Sequence, residues 1–128
     1  MLIAVSGSQG CGKSTVLSKL KENKHTVIER KTSRSILREW KVDLSTVNND
    51  SELLMKFQDE IIARKFEDEK KHIGTSPRNI VFTERTYADL FTYAVAVLGR
   101  DNKHNDWINE YYSKCMMYQA QSYSHVFY

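Results

Sequence analysis

Gly7-Ser8-Gln9-Gly10-Cys11-Gly12-Lys13-Ser14-Thr15 is the stretch that decides the fold. It fits the pattern G-x-x-x-x-G-K-[ST] at every fixed position. Before it stands the apolar run Leu2-Ile3-Ala4-Val5, which reads as a strand buried on both faces. After it the pattern turns helical from Gly12 or Lys13, with Val16, Leu17 and Leu20 on one side and a stop near Asn23. Strand, glycine-rich loop and helix in that order distinguish a phosphate loop from a glycine-rich turn. Gly7, Gly10 and Gly12 let the backbone curl with its N–H groups pointing inward. The start of the helix adds free N–H groups and the positive end of its dipole. Residues 7–15 are therefore the candidate nucleotide-binding set, for ATP or GTP. Within it, Lys13 is expected at the β- and γ-phosphates and Ser14 on Mg²⁺. Cys11 reads as a small filler, or else as a thiol activated by the helix terminus. A dinucleotide fingerprint is absent.

Outward from the loop, the chain alternates strands and helices. His25-Thr26-Val27-Ile28 and Asn79-Ile80-Val81-Phe82-Thr83 read as strands, and Val126-Phe127-Tyr128 begins another. Between them the pattern predicts a helix over 32–41, with Ile36, Leu37 and Trp40 on one face. A long helix runs from a cap at Asp50 or Ser51 to about His72, with Leu54, Phe57, Ile61 and Phe66 as its stripe. Residues 42–50 read as irregular and Glu67-Asp68-Glu69-Lys70-Lys71 as a solvated face. A helix over 86–98 is stopped by Gly99, and a last helix is capped by Asp106. The order β-α-β-α-α-β-α-α-β implies a parallel sheet with right-handed crossovers. This order together with the phosphate loop gives the expected fold class, α/β: a P-loop NTPase three-layer α/β/α arrangement with about four parallel strands.

Ligands of open α/β sheets bind at the carboxyl ends of the strands. The polar residues just past the second strand are Glu29, Arg30, Lys31, Thr32, Ser33 and Arg34. Past the third they are Glu84, Arg85, Thr86 and Asp89. Phosphoryl transfer needs a carboxylate to take a hydroxyl proton or hold Mg²⁺, and arginines to balance charge. Lys13, Glu29, Arg34, Glu84 and Arg85 are thus the candidate catalytic residues, and Ser14 and Glu84 the candidate metal partners. Which of Glu29 and Glu84 is base and which metal partner stays open. On the long helix, Gln58 has an amide suited to a nucleobase edge and Phe57 a ring suited to stacking, so both are candidate substrate contacts. The plainer reading has Phe57 in the core and Gln58 at the surface. The aromatic helix carrying Trp107, Tyr111, Tyr112 and Tyr118 reads as core packing rather than a platform for single strands.

Composition narrows the classes further. The 128 residues suit one domain, 41% hydrophobic and 27% charged. A net charge of +3, from 19 basic and 16 acidic residues, is too small to argue for nucleic acid. No apolar run approaches a membrane span, and the amino terminus is not built as a signal peptide. Cys11 and Cys115 lack metal-ligand spacing, and the four histidines are scattered. The expected compartment is the cytoplasm, or the host cytoplasm for a phage-encoded chain, with free thiols.

Residues 7–15, Glu29 to Arg34 with Ser35-Ile36-Leu37, and Thr83-Glu84-Arg85-Thr86 together resemble the P-loop nucleoside and nucleotide kinases. The segment Glu84-Arg85-Thr86-Tyr87-Ala88-Asp89-Leu90-Phe91-Thr92-Tyr93, followed by Leu98-Gly99, is similar to the NadR-like kinase group and to bacteriophage deoxynucleoside monophosphate kinases. The resemblance implies strand order 2-3-1-4-5 and transfer of the ATP γ-phosphoryl group to a nucleoside or nucleotide. It gives Lys13 and Ser14 the phosphate-loop roles, and Arg34 and Arg85 contacts with substrate or phosphate. It also implies an arginine-bearing lid and a fifth strand beyond Tyr128, so residues 1–128 are expected to be a kinase-like domain cut short at its carboxyl end. Two other readings are a nucleotide-binding module without turnover, and a kinase for a hydroxyl on a modified base in DNA. The oligomeric state is not legible.

Overall fold

The computed structural model describes residues 2–6, 13–28, 32–75, 80–99, 103–123 and 125–127. The elements run β1 (Leu2–Val5), α1 (Lys13–Glu22), β2 (Thr26–Ile28), α2 (Thr32–Trp40), α3 (Leu44–Asn48), α4 (Ser51–Thr75), β3 (Val81–Glu84), α5 (Tyr87–Leu98), α6 (Asn105–Ser122) and β4 (His125–Phe127). The four strands are parallel and lie in the order β2-β3-β1-β4. The alternation of strands and helices gave the parallel α/β sheet, and the order of its four strands agrees with the order that the resemblance to P-loop kinases implies.

Crossover handedness sets the layers. The β1-to-β2 connection moves one way across the sheet, while β2-to-β3 and β3-to-β4 move the other way. Right-handed crossovers therefore send α1 to one face and α2 through α6 to the opposite one. The packing agrees: one apolar cluster joins Ile36, Val47, Leu54, Phe57, Tyr87 and Tyr111 from α2 through α6, and takes nothing from α1. Pleating does the rest. Leu2, Val81 and Ile28 share the face that meets the helical cluster. Ile3, Val5, Phe82 and Glu84 point to the α1 side. There Leu17 is buried, but Val16, expected beside it, is 49% exposed.

Local chemistry explains most boundaries. Helices α1 and α2 both end in a Schellman pair. His25 N–H donates to the Leu20 carbonyl and Lys24 N–H to Lys21, just as Val42 N–H donates to Leu37 and Lys41 N–H to Arg38. Lys24 and Lys41 hold the left-handed position, at φ 63° and 56°. Asp50 caps α4 by accepting from the Leu53 N–H.

Several expectations are corrected. Residues 42–50 contain a helix, α3: Asp43 accepts from the Thr46 N–H and hydroxyl, and Val47 plugs the core. Those hydrogen bonds hold the Asp43 carboxyl below the usual carboxylate range. Helix α6 is preceded by His104, without a side-chain cap, so Asp106 lies inside its first turn. Gly99 ends α5 at φ −79°, not in the left-handed region. A Cβ there would meet the Val95 carbonyl oxygen at 2.8 Å, so close approach explains the glycine. Cys115 is a buried free thiol, and burial pushes its pKa up to about 12.

Candidate active site at the carboxyl edge of the sheet

Lys13 opens α1, directly after the glycine loop, and its side chain is only 5% exposed. Its Nζ lies 3.0 Å from Glu84 Oε1. Glu84 is the last residue of β3 and stands in register with Val5, the last of β1. Two adjacent parallel strands thus bring the loop lysine and a carboxylate together at their carboxyl ends.

Around this pair the backbone is tightly specified. Arg85 follows Glu84 at φ 69°, a left-handed conformation that costs a non-glycine residue about 1–2 kcal/mol. Its N–H donates to the Val5 carbonyl at 2.9 Å, which joins the turn to the end of β1. Its Nε is buried and makes no hydrogen bond among the described residues. Thr86 and Asp89 then form a capping box that starts α5. The same Asp89 carboxylate accepts from the hydroxyl of Ser6 at 2.9 Å, and Ser6 immediately precedes the glycine loop. The entry to the phosphate loop and the start of α5 therefore share one carboxylate.

Behind β3 lies a second set. Glu69, on α4, is 1% exposed. It pairs with Lys65 at 2.6 Å and accepts from the hydroxyls of Thr83, Tyr87 and Tyr123. Burial, and then the charge of Glu69, pushes both phenols well above the usual tyrosine range, so they stay protonated and donate. Lys65 Nζ also reaches Thr83 Oγ1 at 3.1 Å and the Glu84 carbonyl at 3.3 Å. Beside it, at the ends of β2 and β3, is a cavity of about 20 Å³ lined by Thr32, Ser33, Lys65, Asp68 and Arg85, among others.

A family model described as an AAA domain matches residues 2–128. The chain belongs to the AAA domain family. No curated protein and no solved structure matches this AAA domain. Membership makes it a P-loop nucleotide-binding domain, and such domains generally bind a nucleoside triphosphate with Mg²⁺. The described donors fit that pair. Mg²⁺ usually takes one or two protein carboxylates and completes its shell with phosphates and water. Glu84 offers a carboxylate, and Lys13 an ammonium for the phosphates. No group of three or more His, Cys, Asp or Glu able to hold a metal occurs among the described residues.

Of the residues expected in the site, Lys13 and Glu84 come together in the AAA domain, and Arg85, next to Glu84 in the chain, lines the cavity beside Lys65. Arg34 is exposed on α2, one residue beyond Ser33 at the cavity. Thr15 is exposed. Gly7, Ser8, Gln9, Gly10, Cys11, Gly12 and Glu29, and the side chain of Ser14, lie outside the described residues. Phe57 and Gln58 are interior. Phe57 packs edge-on against Trp40, and the Gln58 amide oxygen accepts from the Tyr111 hydroxyl. Phe57 thus faces α2 and Gln58 faces α6.

Glu69 corrects the reading of residues 67–71 as a solvated face, and Ser6, Lys65 and Glu69 were not anticipated at all. A signal for two of them existed. Continuing the α4 stripe from Ile61 by four and four lands on Lys65 and Glu69, opposite charges at i,i+4 on an apolar line. No helix among the described residues is long and apolar enough to cross a membrane.

Proposed function

We propose that this AAA domain transfers the γ-phosphoryl group of ATP or GTP to a small nucleoside or nucleotide. The observation that carries the reading is the Lys13–Glu84 pair at the carboxyl edge, a buried cation 3.0 Å from a half-buried carboxylate. A negative group beside bound phosphates repels them unless it holds a metal or takes a proton, and phosphoryl transfer uses a carboxylate in either role. Lys13 exchanges Glu84 for the phosphate oxygens and stabilises charge on the transferring group. Glu84, released from Lys13, accepts the acceptor hydroxyl proton or anchors Mg²⁺. The acceptor oxygen forms a bond to the γ-phosphorus as the bond to the bridging oxygen breaks, and the nucleoside diphosphate leaves. Arg85, whose Nε makes no hydrogen bond among the described residues, lies next in the chain and can offset charge. Glu84 would hold Mg²⁺, which when bound would neutralise part of the phosphate charge.

The test is an acceptor screen. The chain is incubated with Mg-ATP and nucleosides, nucleoside monophosphates, nicotinamide riboside and short DNA bearing a hydroxylated base, and products are read by mass. A phosphorylated small acceptor is expected, and Lys13→Ala should abolish it. If no acceptor gains a phosphate while Mg-ATP still raises the melting temperature, the domain binds nucleotide without transfer and the proposal fails.

A further inference from the structure

We infer that Lys65 and Glu69 are positioning residues: this buried ion pair holds the left-handed turn at Arg85 and thereby aims Glu84 at Lys13. The inference rests on the reading that Glu84 serves the nucleotide site.

Among the described residues, three oxygens converge on the Lys65 ammonium. An ammonium has three N–H groups. Those of Lys65 meet Glu69 at 2.6 Å, Thr83 Oγ1 at 3.1 Å and the Glu84 carbonyl at 3.3 Å. Two of the three partners are consecutive residues of β3. The third is a carboxylate fixed by two tyrosines, and one of these, Tyr123, brings its hydroxyl to within 3.5 Å of the Arg85 carbonyl. The peptide carbonyls on both sides of the Arg85 α-carbon are therefore held by groups that themselves bind Glu69. This matters because Arg85 is in a conformation its side chain disfavours, and such a residue persists only when its surroundings over-determine it. From the opposite side the Arg85 N–H is tied to Val5. If the turn relaxed toward an ordinary backbone conformation, the Glu84 side chain would swing from the α1 face of the sheet, where Lys13 waits.

An ion pair is a costly way to fill a space that apolar side chains could occupy, because both charges must leave water. Lys65 and Glu69 stand in line with Ile61 on α4, so an apolar pair would continue the stripe without interruption. An apolar pair would also pack, but it could not hold a carbonyl. What distinguishes the pair from ordinary core is that its cation reaches the Glu84 backbone.

The test uses the full chain carrying Lys65→Met with Glu69→Gln, which removes both charges together and leaves neither stranded. Amide hydrogen exchange is measured by NMR. The expected result is at least a tenfold loss of protection at the Arg85 amide, with the amides of Val81, Phe82 and Thr83 within twofold of the parent. A merely structural role would lower all of them together, and that result, or an unchanged Arg85 amide, overturns the inference. Tyr123→Phe keeps the ring on Tyr87 and removes one hydroxyl. It serves if the double variant does not fold, and should show the same selective loss to a smaller degree; an unchanged Arg85 amide there also overturns the inference. In parallel, ATP affinity is read with and without Mg²⁺. The double variant should lose about tenfold only in the presence of Mg²⁺. Full retention of the Mg²⁺ effect there, in a chain where Glu84→Gln abolishes it, defeats positioning. Retention in Glu84→Gln as well removes the role of Glu84 itself, and with it the inference, whatever the exchange shows.

Discussion

Lys13 and Glu84 are unequal partners: the lysine side chain is 5% exposed and the glutamate 22%. Removing Glu84 takes the carboxylate from a cation sealed away from water, whereas removing Lys13 leaves a carboxylate that can turn to water. Glu84→Gln should therefore destabilise the nucleotide-free chain by about 2–3 kcal/mol, and Lys13→Met by about half as much. Urea unfolding of the two variants without nucleotide checks the order, and equal losses would refute the asymmetry. Adding ATP should raise the melting temperature of Glu84→Gln more than that of the parent, because phosphate returns an anion to Lys13. At this scale the sequence was readable where a motif constrains spacing. Lys13 follows from its loop, and Glu84 and Arg85 from their place after a strand. Glu69 was hidden because it sits in a charged run, Glu67 to Lys71, whose composition looks solvated and whose helical phase turns a single carboxylate inward. Gln58 was misplaced for the converse reason. An amide suggests surface or ligand, yet one hydroxyl from Tyr111 lets it stay inside.

Helices and strands came through better than their ends. The succession of strands and helices along the chain followed from periodicity, since burial enforces it over many residues, while the order of strands within the sheet rested on the resemblance to P-loop kinases. Short α3 did not, because only Val47 is deeply buried and Asp, Asn, Ser and Thr speak for a loop. The end of α1 was legible as a stop near Asn23, while the left-handed residue proved to be Lys24. Glycine usually advertises that position, and lysine does not. Lys24→Gly should therefore stabilise the chain by roughly 0.5–1 kcal/mol, since relief of the left-handed strain outweighs the added freedom of the unfolded chain. Chemical denaturation measures it. A loss of stability would mean that the Lys24 side chain does more than tolerate its place.

Across the whole molecule the two faces of the sheet are unlike. Helices α2 through α6 build a shared apolar cluster with an aromatic seam, in which Phe66 stacks on Tyr118 at 4.3 Å and Tyr87 on Tyr123 at 5.6 Å. On the other face α1 stands on its own among the described helices and leaves Val16 in solvent. Stability should divide accordingly. Without nucleotide, amides of α1 should exchange at least tenfold faster than those of α4 and α6, and Mg-ATP should narrow the gap by protecting α1, whose first residue is Lys13. Uniform protection before nucleotide, or none gained after, would count against this division. The aromatic seam has an optical consequence. Both tryptophans, Trp40 and Trp107, pack against the helical cluster, and Trp107 lies 4.6 Å from Tyr111 with its indole N–H on Asp59. The intrinsic fluorescence of this chain therefore watches the helical layer, and a titration followed by its emission would leave the edge where Lys13 meets Glu84 in the dark.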